Sequence, residues 1–202
     1  MAFRFLLAHG AGAPSSSAWM RRYAELLSQL GSVRSFDYPY ARPGQARKAP
    51  DKLDVLVAAH RAELDALRAG SAAPDRLFLA GKSMGSRVGC HVALDATARE
   101  AIAGLICFGY PLRGQNGKLR DEVLLGLRTP ILFVQGTRDA LCPLDELEQV
   151  RKRMTAPSEL HVVESGDHSL EATKTSLKQR GTSQAEIEAA ILARVRAFCE
   201  AC

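Results

Sequence analysis

Short apolar runs alternate along the chain with stretches whose apolar residues recur every three or four positions. The first run, at 3–8, reads FRFLLA and predicts a strand. A loop rich in Gly, Pro and Ser follows at 9–17. Trp19, Tyr23, Leu26, Leu27 and Leu30 then fall at helical spacing, with Gly31 where a C-terminal cap belongs. A second strand is expected at 33–38, followed by a loop holding the breaker pair Pro43 and Gly44. Leu53, Leu56, Val57, His60, Leu64 and Leu67 mark a second helix that should end at Gly70. The next strand is expected at 76–80, with a helix after Ser83 that carries Val88, His91, Val92 and Ala96 on one face. Further strands are expected at 104–108, 131–135 and 159–163. Helices are expected at 121–127 and 144–154, and a closing helix carries Ile187, Ala190, Ile191, Val195 and Phe198.

Six strands alternating with helices predict an α/β fold. The strand cores are apolar without strict alternation, so both faces should be buried, as in a mostly parallel sheet flanked by helices. Ligands of such sheets bind at the C-terminal strand ends. The loops at 9–17, 39–52, 81–83, 109–120, 136–143 and 164–182 therefore share one functional edge. The 202 residues favour one domain, 1–202.

Composition narrows the class. No apolar run reaches bilayer length, and the apolar stretch at 1–8 is too short for a signal core and contains Arg4, so a soluble cytoplasmic protein is expected. The cysteines at 90, 107, 142, 199 and 202 are odd in number and scattered, unlike a disulfide framework. Cys199 and Cys202 have CxxC spacing but lack two further ligands nearby, so no metal is expected. The net charge is +5, yet the basic residues form no run and few aromatics lie among them, which argues against nucleic acid as partner.

The candidate chemistry centres on Gly81-Lys82-Ser83-Met84-Gly85, a G-x-S-x-G pattern between a strand and a helix. Such a turn exposes the serine hydroxyl and places the next N–H at a helix start, where donors are unpaired. A bare glycine-rich turn is the bland alternative. A serine needs a base and an orienting acid. Asp139 follows the strand at 131–135, and His168 follows the last strand, giving the order Ser83, Asp139, His168 on one edge. Asp167 competes as the acid, but adjacent residues rarely reach each other's ring nitrogens. His60 and His91 lie on helix faces, His161 lies within a strand, and His9 precedes Ser83. The loop His9-Gly10-Ala11-Gly12 should supply a second oxyanion donor, from Ala11 or else Gly12, beside that of Met84. Gly10-x-Gly12 also resembles a dinucleotide fingerprint with Asp37 as the ribose acid, but Ser15 holds its third glycine position.

These stretches, with those at 36–40, 109–112 and 135–139, resemble the α/β-hydrolase superfamily. They look most like its small subgroup related to testis-expressed protein 30 and the NSL-complex subunit 3 domain, which is distantly similar to dienelactone hydrolases. The resemblance implies Ser83 as nucleophile, Asp139 as acid and His168 as base, on a sheet lacking the first two strands of larger relatives. Serine stands where dienelactone hydrolases carry cysteine, so their substrate is not carried over. Some relatives are subunits of regulatory complexes, which makes a non-catalytic interaction module the second reading. The primary reading is a serine hydrolase of small esters or thioesters that needs no cofactor. Gly10, Gly12, Tyr40 and Arg113 are the candidate substrate-binding residues.

Only about twenty residues separate the strands at 104–108 and 131–135, too few for a cap domain, so an open site is expected. The loops at 39–52 and 109–120 hold Arg42, Arg47, Lys48, Lys52, Arg113, Lys118 and Arg120 against Asp51. A basic rim of this kind would concentrate anionic substrates, or is simply a solvated surface.

Overall fold

The computed structural model describes residues 2–42, 44, 49–69, 76–114 and 117–202. Gly70, Pro43, Arg47 and Lys48, each named above, lie outside them. Six strands form one parallel sheet: β1 (Phe3–Ala8), β2 (Gly31–Phe36), β3 (Arg76–Lys82), β4 (Gly104–Phe108), β5 (Ile131–Gly136) and β6 (Ser158–Val163). Their spatial order is β2-β1-β3-β4-β5-β6. The helices are α1 (Ala18–Ser28), α2 (Leu53–Ala69), α3 (Met84–Val92), α4 (Ala96–Arg99), α5 (Glu122–Gly126), α6 (Leu144–Arg153), α7 (Lys174–Arg180) and α8 (Gln184–Ala201). Among the described residues no large cap is inserted between the strands.

Burial follows the pleat. In β1, Phe5 and Leu7 point into a core built with Trp19, Met20 and Tyr23 of α1 and Ile191, Val195 and Phe198 of α8. Leu6 and Ala8 point into the opposite core, with Leu56 and Leu64 of α2, Val88 of α3 and Leu147 of α6. All residues of β4 and β5 are buried, whereas the edge strands β2 and β6 are half-buried. Continuous apolar runs mark central strands because both faces meet helices.

Local differences from the sequence expectation have steric causes. Gly31 begins β2 instead of capping α1, whose C-cap is Gln29. A Cβ on Gly31 would lie 2.0 Å from Phe3 O, so the glycine permits close pairing with β1. The strand accordingly runs 31–36 rather than 33–38. The short helices α4 and α7 carry too few apolar residues to show a period. Each is held instead by a cap, Asp95 accepting from Ala98 N–H and Thr173 from Ser176 N–H.

The order of strands reverses between β1 and β3: the chain leaves β1 for β2 on one side and returns to the other. The crevice at that switch point is where such sheets bind ligands. The loop from His9 and the turn at Ser83 both open into it.

Candidate active site

Ser83 occupies a strained backbone conformation, with φ 52° and ψ −115°. Such a conformation costs on the order of 1–3 kcal/mol in a non-glycine residue. Three bonds hold it: Ser83 N–H donates to Phe108 O at 2.9 Å, and Ser83 O accepts from Ser86 Oγ at 2.6 Å and from Arg87 N–H at 3.2 Å. Each is worth about 1 kcal/mol, enough together to offset much of the strain. The flanking glycines are sterically required. A Cβ on Gly81 would lie 2.4 Å from Ser86 N, and one on Gly85 would lie 2.4 Å from Ala8 O.

His168 and Asp139 reach Ser83 from the ends of β6 and β5. His168 Nε2 lies 2.8 Å from Ser83 Oγ, and its Nδ1 lies 2.8 Å from Asp139 Oδ2. A carboxylate only accepts, so Nδ1 carries the proton and Nε2 is left to accept from the serine hydroxyl. The loop bearing His168 is pinned by its neighbour. Asp167 Oδ1 accepts from the N–H groups of Ser169 and Glu171, and is thereby occupied away from the imidazole. Asp139 is buried and its carboxylate is fully committed. Oδ1 accepts from Leu141 N–H at 2.9 Å, and Oδ2 also accepts from Gln135 Nε2 at 2.7 Å.

Gln135 went unassigned in the sequence reading. It is fully buried in β5, and its Oε1 accepts from Tyr110 N–H at 2.8 Å. One amide thus ties the carboxylate to the loop after β4. The available signal was a lone polar residue closing the apolar run of β5, since a buried amide must be fully bonded.

The loop after β1 is held by side chains. His9 is buried; its Nε2 accepts from Tyr38 N–H at 3.1 Å, and its Nδ1 donates to Gly10 O at 2.7 Å. Burial lowers the His9 pKa from its ordinary 6.5, against the raising effects of that backbone bond and of Asp37. Asp37, the alternative ribose acid, instead accepts from Ser15 N–H at 2.6 Å. Tyr40 differs from its expected role. It borders neither cavity at Ser83; its hydroxyl donates to Ala11 O at 3.2 Å and Gly10 O at 3.3 Å. Burial, with Asp51 and Asp37, pushes its phenol up to about 12. Against protein atoms, an added Cβ would make ordinary contacts at Gly10 and meet nothing within 4 Å at Gly12.

Two cavities meet at Ser83. One of about 310 Å³ is bordered by Gly10, Gly12, Trp19, Lys82 and His168. Lys82 Nζ sits 4.7 Å over the Trp19 ring and donates to Ser169 Oγ at 2.8 Å, and burial lowers its pKa. Trp19 Nε1 donates to Ser169 O at 2.9 Å, so α1 braces the loop of His168. The other cavity, of about 330 Å³, is bordered by Ala11, Met84, Arg87, Arg113 and Arg120. Arg113 lies at its rim with its guanidinium committed to Glu146, Nε donating to Oε2 at 2.9 Å.

Of the remaining histidines, His60 is fully buried beneath Tyr38, with its Nδ1 3.1 Å from the phenol oxygen and its pKa lowered by burial to about 3. His91 and His161 are half-buried on other elements. Among the described residues no group of three or more His, Cys, Asp or Glu is placed to hold a metal ion. Nor is any helix there long and apolar enough to cross a membrane.

Solved structures share this architecture. An alpha-beta serine hydrolase homologue from Coxiella burnetii superposes with a TM-score of 0.70 at 20% identity, covering 98% of this chain and 84% of that one. Dienelactone hydrolase from Anabaena variabilis gives 0.72 at 17%, covering 98% and 85%. A structure from work on LipS and LipT, two metagenome-derived lipolytic enzymes, gives 0.74 at 18%, covering 99% and 94%. At such identities the likeness concerns the fold. The sequence model of the alpha/beta hydrolase domain, however, matches residues 1–200. With six parallel strands and a strained serine turn at the switch point, the chain belongs to the alpha/beta hydrolase family.

Proposed function

We propose that the protein is a serine hydrolase of small carboxylic esters or thioesters, working through an acyl-enzyme. The reading rests on one observation: an unbroken run of hydrogen bonds from Ser83 Oγ through His168 to Asp139, with both links at 2.8 Å. Ser83 Oγ attacks the acyl carbonyl while His168 Nε2 takes its proton. Asp139 keeps the imidazole in the required tautomer and stabilises the imidazolium. Ala11 and Met84 supply the oxyanion donors. Met84 opens α3, where backbone N–H groups have no partner within the helix. His168 then protonates the leaving group, and water, deprotonated by the same nitrogen, releases the acid and restores Ser83. The subgroup likeness to testis-expressed protein 30 and the NSL-complex subunit 3 domain belongs to this proposal too, as does a cytoplasmic setting.

The test is labelling with a fluorophosphonate, with Ser83→Ala as control, beside hydrolysis of short-chain ethyl esters and thioesters. Labelling at Ser83, and a loss of roughly 10⁴-fold or more in kcat for Ser83→Ala and His168→Ala, is expected. An unlabelled wild-type protein without esterase or thioesterase activity overturns the reading and favours the interaction module.

A further inference from the structure

We propose that the cavity on the Met84 side of Ser83 binds a carboxylate borne by the acyl group, through Arg87 and Arg120. The preferred substrates are then half-esters or half-thioesters of short dicarboxylic acids. This rests on the hydrolase reading above and deepens it.

The two cavities are not equivalent. His168 returns its proton to the leaving group, so the alcohol or thiol must depart on its side. His168 borders the cavity of Trp19 and Lys82, and not the one of Met84 and Arg87. The acyl chain therefore lies in the latter. Arg87 stands four residues after Ser83, its N–H donating to Ser83 O at 3.2 Å. About one turn of helix, roughly 6 Å of backbone rise, separates the two residues, and both border the same cavity.

The charges in this cavity are unbalanced. Its borders hold Arg87, Arg113 and Arg120 against Asp51. Arg113 is neutralised by Glu146, and Asp51 Oδ2 is engaged by Tyr40 N–H at 3.0 Å. Among the described residues neither Arg87 nor Arg120 has a carboxylate within ion-pairing distance. Arg87 Nη1 reaches only the His91 ring, at 3.4 Å, and its Nε is buried without a partner. A guanidinium left this way gives up hydration and recovers only part of its hydrogen bonding, and the neighbouring Arg120 adds repulsion. Burial and that neighbour both lower the Arg87 pKa, as expected of two cations sharing one wall. A planar carboxylate would accept from both guanidiniums and relieve both costs. By contrast, the ammonium of Lys82 in the other cavity already has Trp19 and Ser169.

The experiment compares kcat/KM for monoethyl adipate with that for ethyl hexanoate, following ethanol release at low ionic strength. Wild-type protein should prefer the anion at least tenfold. Arg120→Ala should lower that ratio about tenfold, Arg120→Glu should bring it below one, and Arg120→Lys should keep most of it. Glutarate titrated into the Ser83→Ala protein gives a reading independent of turnover, and adding Arg120→Glu should weaken its binding at least tenfold. Arg120 is half-exposed, so these variants do not disturb a packed position. A ratio within threefold of wild type in Arg120→Glu overturns the proposal. If no ester turns over, glutarate affinity decides: equal affinity with and without Arg120 overturns it. Failure of fluorophosphonate labelling instead counts against the hydrolase reading, and leaves the arginine result standing on the glutarate titration.

Discussion

Two glycine-rich turns meet at the switch point of the sheet, and they are built on different physics. The turn at Ser83 is forced by contact: Gly81 and Gly85 face backbone atoms at 2.4 Å from a would-be Cβ, and the serine between them takes φ 52°. The turn after β1 has no such constraint at Gly10 or Gly12. It is held by the His9 imidazole and the Tyr40 hydroxyl on backbone groups. The first turn is therefore fixed by steric exclusion together with hydrogen bonds on Ser83, and the second by hydrogen bonding alone. Glycine in a motif has one appearance and two meanings, and only the neighbours of each Cα distinguish them.

The largest effect expected from this contrast is at Gly85. Gly85→Ala should destabilise the fold by more than about 3 kcal/mol, because the added carbon meets the backbone carbonyl of β1, which cannot rotate away. Urea denaturation checks this, and a wild-type midpoint would refute the steric account. Next comes Ser83→Gly, which removes the proposed nucleophile and also the backbone strain. It should abolish turnover while raising stability by about 1 kcal/mol. A variant less stable than wild type would show that the turn stores no strain.

Acidification tests the buried histidines that underlie the second turn: His9 within it and His60 beneath Tyr38. Burial holds His9 and His60 below the ordinary 6.5, His60 at about 3. Below 6.5 the unfolded chain then binds more protons than the folded one. Stability from both groups is full above 6.5 and falls as pH drops below it; for His60 the fall continues down to about 3, at up to about 1.4 kcal/mol per pH unit. Urea midpoints at pH 7 and pH 5 measure the slope, and His60→Gln should flatten it. Tyr40→Phe is expected to be smaller. It removes the hydroxyl from the carbonyls of Gly10 and Ala11, costing about 1 kcal/mol in stability and several-fold in kcat, with KM little changed. Smallest of all, Gly12→Ala should shift stability by less than about 0.5 kcal/mol, since nothing stands where its Cβ would go. A large loss there would put the second turn under the same steric rule as the first.

Much of the scaffold was legible before any coordinates. The strands at 3–8 and 104–108 match their expected bounds, because runs buried on both faces need no partner to be recognised. The edge strand β2 was misplaced at its start, since its pairing with Phe3 O, not its own pattern, sets where it begins. Ser83, Asp139 and His168 could be named from motif and strand-end position, since a parallel sheet gathers its C-terminal loops on one edge. Tyr40 could not be assigned, because whether a phenol turns to a ligand or to a carbonyl depends on atoms distant in sequence.

By itself the sequence determined where the six strands fall to within a few residues, that the sheet is mostly parallel, and which loops converge. These follow from local periodicity and chain connectivity. Only the tertiary structure decided that Gln135 braces Asp139 and that Arg113 is neutralised by Glu146 while Arg87 and Arg120 are not. Hydrogen-bond and charge satisfaction are properties of neighbours within a few ångströms. A linear pattern does not encode those neighbours.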